Sequence, residues 1–167
     1  MLFKTHTQSV KEFMLATGQY DPVAEFDHKN ITEKELNVIK LRLSLVTEEV
    51  LELYQAVLNP DSFACTEIEG LFKHIQDITK SVESEDLEFD KVEVADALTD
   101  IDYINTGSAI AFNVPLEVCF QSVHENNMTK VDPITGLVKR SPEGKILKPD
   151  GFIPVDLNKV LTEHNAI

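Results

Sequence analysis

Thr47-Glu48-Glu49-Val50-Leu51-Glu52 lies in the middle of the longest helical stretch of the chain. A helix carries residues three or four apart on one face. The row that begins with Val38, Leu41 and Leu45 therefore continues through Glu48 or Glu49 to Glu52. A second row, Ile39, Leu43, Val46, Val50, Leu53 and Val57, stays apolar throughout. The carboxylates thus extend a stripe that starts as core, instead of occupying the solvent face where a helix normally keeps its charges. About forty residues later, Glu93, Asp96 and Asp100 share a row that runs on through Tyr103, Gly107 and Ile110. If the two acidic rows face each other, like-charge pairs about 5 Å apart cost roughly 3 kcal/mol each at an effective dielectric near 20. Such pairs are tolerable only with protons or cations between them, which predicts a divalent-metal site.

Outward from this stretch the chain reads as helices. A capping box, Thr32 with Glu35, opens a helix that runs to Leu58, where Asn59-Pro60 ends it. At some 26 residues it is well above the usual length of about 11, and long helices with two apolar rows belong in bundles. Before it, Thr7 to Thr17 forms a short amphipathic helix with Val10, Phe13 and Met14 on one face and Gly18 as a stop; Gln19 to Asn30, with Pro22, is a connector. After it, Asp61 to Ala64 connects to a helix over Cys65–Val82 whose expected buried stripe is Ile68, Leu71, Phe72, Ile75 and Ile78. The acidic run Glu83 to Glu88 reads as a solvated linker or as the approach to a helix N-terminus, where negative charge is favourable. A fourth helix spans Asp90 to Phe112, and Gly107 inside it, about 1 kcal/mol worse than Ala, suggests a close approach by another helix. Asn113 and Pro115 stop it and start a fifth helix to Met128, with Leu116, Cys119, Phe120 and Val123 as its apolar face. Pro154 and Asp156 open a last short helix to Glu163. The expected class is all-α, with a four-helix-bundle core.

At 167 residues the chain is expected to form one domain, 1–167, large enough for a core without staples. Its net charge of −14 argues against nucleic acid, phospholipid surfaces or other polyanions as bulk partners. Cys65 and Cys119 are the only cysteines, stand in apolar helical contexts and read as buried thiols in a reducing compartment. No apolar run reaches signal-peptide or transmembrane length, so a soluble, cytoplasmic protein without a membrane partner is expected. After Thr129 the character changes. Lys130 to Lys148 holds five basic residues against two acids, and turn pairs such as Thr135-Gly136 and Glu143-Gly144 dominate, with a short hairpin of Leu137–Lys139 and Lys145–Leu147 conceivable.

Mg²⁺ and Mn²⁺ take oxygen ligands, and Mg²⁺ commonly combines carboxylates with waters and substrate phosphates. Glu49 and Glu52 at i, i+3 and Asp96 and Asp100 at i, i+4 meet that demand. Singly, each would be an ordinary surface acid; two clusters that both continue apolar rows outweigh that explanation. A ferritin-type di-iron site needs Glu-x-x-His pairs, and neither Glu48, Glu49, Glu52 nor Glu93 has a His three residues on. His74 has no companion ligand and reads as exposed. His124 to Lys130, at the end of the fifth helix, can be merely capping and dipole-complementing polar residues. Yet Lys130 opens the only basic segment, which makes a phosphate contact attractive. Phe13, Tyr20, His124 and Phe152 are conceivable base contacts in a chain without Trp.

With these motifs in place, the chain resembles the all-α nucleoside triphosphate pyrophosphohydrolases, the MazG-like and phosphoribosyl-ATP pyrophosphohydrolase-like group, near the dimeric all-α dUTPase branch. Glu48-Glu49-x-x-Glu52 is similar to the family's EExxE. Asp96-Ala97-Leu98-Thr99-Asp100-Ile101-Asp102-Tyr103 with Gly107 resembles its second acidic helix. Val123-His124-x-x-Asn127-Met128-Thr129-Lys130 and Gly144-Lys145-x-Leu147-Lys148-Pro149-x-Gly151-Phe152-x-Pro154 complete the ordered set. The family's ExxD can be placed as Glu93-x-x-Asp96, or with its final Asp at Asp100 and Ala97 where Glu is expected. The second register is preferred because Tyr103 and Gly107 then fall in family positions. The resemblance implies a MazG-like bundle, helical over 1–129 with a basic loop and short helix over 130–167, completed as a homodimer or dimer of dimers. It also implies Mg²⁺-dependent cleavage, with Mn²⁺ as substitute, between the α- and β-phosphates of a nucleoside triphosphate such as dUTP or dCTP. Glu49, Glu52, Asp96 and Asp100, with Glu93, are then the metal ligands, two or three ions being held, and Glu48 is the catalytic residue orienting water. Asn127, Lys130, Lys145 and Lys148 are the substrate contacts. Two alternatives stand beside this: a phosphoribosyl-ATP pyrophosphohydrolase, and a non-catalytic, metal-stabilised helical interaction module.

Overall fold

In the computed structural model, which describes residues 4–19, 21, 26–141, 146–164 and 166, each of the six helices expected from the sequence is present. They are α1 (His6–Ala16), α2 (Glu33–Val57), α3 (Phe63–Ser81), α4 (Lys91–Ala111), α5 (Leu116–Met128) and α6 (Leu157–Glu163), with one 3₁₀ turn at Ser84–Asp86. Among the described residues the only β-pairing is two isolated antiparallel bridges, Val131 with Val138 and Arg140 with Ile146. The helix ends follow local chemistry. At α2 the Thr32 backbone N–H and hydroxyl both donate to the Glu35 carboxylate, closing the expected capping box. At α1 the Thr5 N–H donates to Gln8 Oε1, and the Gln8 N–H donates back to Thr5 Oγ1. Asp90 Oδ1 accepts from the N–H groups of Val92 and Glu93 at the start of α4, and Asp156 Oδ1 from that of Lys159 at α6.

The chain divides into two compact units, residues 26–95 and residues 1–25 with 96–167. In the first, α2 and α3 form an antiparallel hairpin across Leu58–Ser62. Asn59 holds this turn: its side chain accepts from Asp61 N–H, its carbonyl from Ser62, and Ser62 Oγ then caps α3 at Cys65 N–H, 3.1 Å away. Tyr54 meets Phe72 with ring centroids 5.9 Å apart, and Gln55 Nε2 donates to Glu69 Oε1 at 2.7 Å.

The seam of this hairpin differs from the rows expected. On α2 the less exposed positions from Leu36 onward include Lys40, Ser44, Thr47, Leu51 and Leu58; on α3 they are Cys65, Ile68, Phe72, Gln76 and Thr79. Both sets keep the three-four spacing of one helix face. Val38, Leu41, Leu43, Val46, Val50, Leu53 and Val57 on α2, and Leu71, Ile75 and Ile78 on α3, stay exposed in the single chain. The longest apolar rows were expected to face inward; Ile39, Leu45, Ile68 and Phe72 are partly covered, whereas most other members of those rows stay exposed. Phe26, at the start of this unit, lies against Phe89 at 5.2 Å.

In the second unit, α5 packs against α1 and α6. His6 stacks on Phe120 at 3.9 Å between ring centroids, and Cys119 is buried, as is Cys65 in the other unit. Residues after α5 fold back on the open C-terminus of α1. Val138 N–H donates to Ala16 O at 3.0 Å, and the Arg140 guanidinium donates to Thr17 O, so two of the carbonyls a helix end leaves unpaired find partners. Asp132 Oδ1 accepts from Ile134 and Thr135 N–H, closing a turn that ends at Gly136 with φ 69°. The conceivable short hairpin is seen only as the Arg140–Ile146 bridge and the bond from Leu147 N–H to Lys139 O; residues 142–145 lie outside the described residues. α4 is sparsely covered along its length, with Ala109 its one buried residue among those described. Among the described residues, no atom outside the neighbouring helix backbone lies within 4 Å of a Cβ built at Gly107, so no described helix makes the close approach expected there.

α4 ends on Asn113, whose φ of 56° is the left-handed conformation that usually selects Gly, and Val114 N–H bonds back to Ala109 O at 2.8 Å. Asn113→Gly should therefore leave stability unchanged or slightly raised. Asn113→Val should lower it by about 1–2 kcal/mol, measured by urea unfolding at constant m.

Candidate functional site

Three of the acidic residues singled out above, Glu48, Glu49 and Glu52, lie on successive turns of α2 and are exposed. Thr47 and Leu51 belong to the α3 seam, so Glu49, two residues past Thr47, sits about 200° round the helix from it. The three carboxylates feel one another: partial desolvation first, then the charges of Glu52 and Glu48, raise the pKa of Glu49. Glu93 is exposed on the first turn of α4. In the second unit Asp96 and Asp100 are likewise exposed, one turn apart on α4. Among the described residues no ion pair involves any of the six. Nor, among the described residues, do three His, Cys, Asp or Glu come together in a group able to hold a metal ion. The donor set itself suits a hard divalent cation: oxygen only, solvent-reachable and without a competing cation.

The second unit gathers the basic candidates. Lys130 follows α5 directly, and its ammonium donates to Asn127 Oδ1 at 2.7 Å, so two expected substrate contacts are held together. It lies 6.0 Å from the ring centre of Phe13 on α1 and 5.4 Å from that of Phe152. Lys148 approaches the same Phe152 ring at 5.3 Å. Burial first, then the charge of Lys148, pulls the Lys130 pKa below its usual value. Phe152 is placed from both sides. Its N–H donates to Pro149 O across a turn in which Gly151 has φ 75°, and Asn126 Nδ2 donates to Ile153 O at 2.6 Å. A hollow of about 500 Å³, lined by Asn126, Thr129 and residues 149–154, opens beside this ring. Lys145 and Tyr20 lie outside the described residues.

His124, a conceivable base contact, proves otherwise engaged. It is buried, and its Nε2 faces Glu12 Oε2 at 3.3 Å. Glu12 also accepts from the Lys4 ammonium. The Glu12–His124 pair and the Asn126 bond escape sequence reading because their partners are far away in the chain. Phe13 and Phe152 were named as conceivable base contacts, and no local pattern announces that they share Lys130.

The architecture is all-α, and comparison with known proteins gives the family. The chain matches the family described as phosphoribosyl-ATP pyrophosphohydrolase over residues 10–127, and it belongs to that family. It is therefore a hydrolase acting on phosphoanhydride bonds, which sets aside the non-catalytic alternative. A crystal structure from Exiguobacterium sp. 255-15, provisionally named an NTP pyrophosphohydrolase, is similar in fold, with a TM-score of 0.68 and 23% identity over 97% of each chain. No curated protein matches the sequence.

The Lys4–Glu12–His124 contact carries a pH signature. The hydrogen bond from Lys4, ahead of the charges of Lys4 and His124, holds the Glu12 pKa below its ordinary 4.5. A depressed carboxyl pKa contributes stability that is present above the unfolded value and lost as pH falls through the folded one. Glu12→Gln should lower Tm at pH 7, and the gap from wild type should close below the ordinary Glu pKa of about 4.3. Thermal melts across that range check this.

Proposed function

We propose that the protein is a Mg²⁺-dependent nucleoside triphosphate pyrophosphohydrolase of the cytoplasm, cleaving between the α- and β-phosphates to a nucleoside monophosphate and pyrophosphate. A deoxypyrimidine triphosphate, dUTP or dCTP, is the favoured substrate. What carries the proposal is the membership of a pyrophosphohydrolase family together with six exposed carboxylates that have no cation of their own. The name of the Exiguobacterium protein is in keeping with it.

Glu49, Glu52, Asp96 and Asp100, with Glu93, would hold Mg²⁺, or Mn²⁺ in its place. Bound there, the ion would offset substrate charge and make a water more acidic. Glu48 orients the attacking water as a hydrogen-bond acceptor. Asn127 offers its amide to ribose or phosphate oxygens, and Lys130 and Lys148 contact the phosphates. The catalytic unit is one domain completed by a second copy of the chain, as a dimer or dimer of dimers. Support for that assembly comes from apolar side chains the single chain leaves open, among them Leu43, Leu53, Leu71, Ile104, Ile110 and Phe112, and from the open space at Gly107. Monomeric proteins rarely expose contiguous apolar patches of more than a few hundred Å².

The family's name favours one second reading, hydrolysis of phosphoribosyl-ATP, which uses the same bond and a different base end. Incubation with a panel of nucleoside triphosphates and phosphoribosyl-ATP, with pyrophosphate separated from orthophosphate, decides between them. Pyrophosphate from a nucleoside triphosphate is expected; release of orthophosphate alone overturns the cleavage position. Glu49→Gln and Asp100→Asn should each keep helical circular dichroism and fall below about a tenth of wild-type turnover. Activity above that level in either variant removes that residue from the site. Sedimentation equilibrium should give at least a dimer, and a monomer at assay concentration would refute the assembly.

A further inference from the structure

Lys130 and Lys148 arrive at the same ring by different routes. Lys130 follows α5 directly, so the helix sets its place. Lys148 ends a stretch, residues 131–148, that forms no helix and, among the described residues, pairs only through the two isolated bridges. Its large side chains Ile134, Leu137 and Leu147 are exposed. A segment with so few bonds and so little buried apolar surface opens locally at low cost, so each tie to a helix weighs on where its end lies. Two ties run to the C-terminus of α1. Val138 N–H donates to Ala16 O at 3.0 Å, and the Arg140 guanidinium donates to Thr17 O. Both acceptors belong to buried residues. A helix C-terminus carries partial negative charge and favours a cation. The last turn of α1 has no basic residue of its own, and Arg140 brings one from 123 positions further along the chain. Arg140 is also the residue that bridges to Ile146, and Leu147 N–H donates to the carbonyl of its neighbour Lys139 at 2.8 Å. One residue therefore joins α1 through its side chain and the approach to Lys148 through its backbone.

We infer that Arg140 is a positioning residue: by clasping the C-terminus of α1 it fixes where Lys148 stands, and so sets how tightly nucleotide is held without touching it. The link to nucleotide rests on the phosphate contact proposed above for Lys148, whereas the clasp itself does not. Met at position 140 keeps most of the stem and loses both the charge and the donors. Lys keeps a charged donor at the helix end, though not the planar fork of Arg. Either change leaves the backbone groups of residue 140 in place.

The test has two arms, both on the full-length protein. In hydrogen–deuterium exchange, Arg140→Met should speed exchange at the Val138 and Leu147 amides by at least about fivefold, while amides inside α2 and α3 keep their wild-type rates. Arg140→Lys should stay within about twofold of wild type at the same two amides. Unchanged protection in Arg140→Met overturns the clasp, whatever the activity. In steady-state hydrolysis of a nucleoside triphosphate at saturating Mg²⁺, Arg140→Met should raise KM about threefold to tenfold and keep kcat within about twofold, the pattern of lost binding. Arg140→Lys should return KM to within about twofold of wild type. Lys148→Met is then combined with Arg140→Met. Residues that act through one another are not additive, so the double variant should have the KM of Lys148→Met alone, within about twofold. KM increases that multiply in the double variant overturn the route through Lys148, and so does an unchanged KM in Arg140→Met. If Arg140→Met is misfolded by circular dichroism, Arg140→Gln takes its place under the same criteria. A wild-type protein that hydrolyses nothing refutes the proposed activity and with it the link to nucleotide, while the exchange arm still decides the clasp.

Discussion

The α2–α3 hairpin closes on a mixed seam, in which Leu36, Leu51, Ile68 and Phe72 alternate with small and polar side chains, and many of its other large apolar residues are left outside. Ser44, Thr47, Cys65, Gln76 and Thr79 line the seam, where small side chains let two helices come near each other. Leu43, Val46, Val50 and Leu53 are then left on faces that α3 does not cover. Burying a Leu or Val side chain stabilises by about 1.5–3 kcal/mol, so a long helix that leaves most of its large residues open forgoes much of its own stabilisation. α4 is in the same position, with Leu98, Ile101, Ile104 and Ile110 exposed along its length. Helices of this kind reach full stability only when another surface covers them. Their carboxylates sit among these uncovered residues, so whatever covers the apolar rows also controls how much water surrounds Glu48, Glu49 and Glu52.

Local chemistry made the helices legible in the sequence. Thr32 with Glu35, Asn113 before Pro115, and Asp156 each act within four residues, and each helix end falls within two residues of where those signals put it. The burial of Cys65 and Cys119 followed from their apolar helical settings. The seam was not legible, because periodicity shows which residues share a face but not which face meets which neighbour. Leu71 and Ile78 belong to a convincing stripe, yet the buried positions beside them are Cys65 and Thr79. Gly107 reads as a contact for the same reason: a missing Cβ marks room for an approach without saying that the approaching atoms lie in the same chain.

The basic candidates divide along the same line. Asn127 and Lys130, three residues apart at the end of α5, were visible as a pair, and the structure joins them. Their aromatic neighbours Phe13 and Phe152 come from opposite ends of the chain, and only the folded second unit brings them to one ammonium group. His124 illustrates the converse. Its place three residues before Asn127 suggested a ligand contact, but its ring nitrogen meets Glu12 of α1, a partner more than a hundred residues away that no local spacing reveals.

An acidic protein that handles a polyanion faces opposing fields, and this chain meets them in two different ways. Among the described residues the exposed carboxylates of α2 and α4 form no ion pair, so their negative charge stands unbalanced there. On the Phe152 ring the reverse holds: positive charge is concentrated by a neutral group, at the expense of partial desolvation of Lys130. Carboxylate partners would have held those lysines more firmly, but they would also have cancelled the charge that an anion needs. A ring face orients an ammonium group and leaves its charge intact. The use of aromatic platforms for lysines in a chain so rich in Asp and Glu is thus what allows positive potential to survive locally against a net charge of −14.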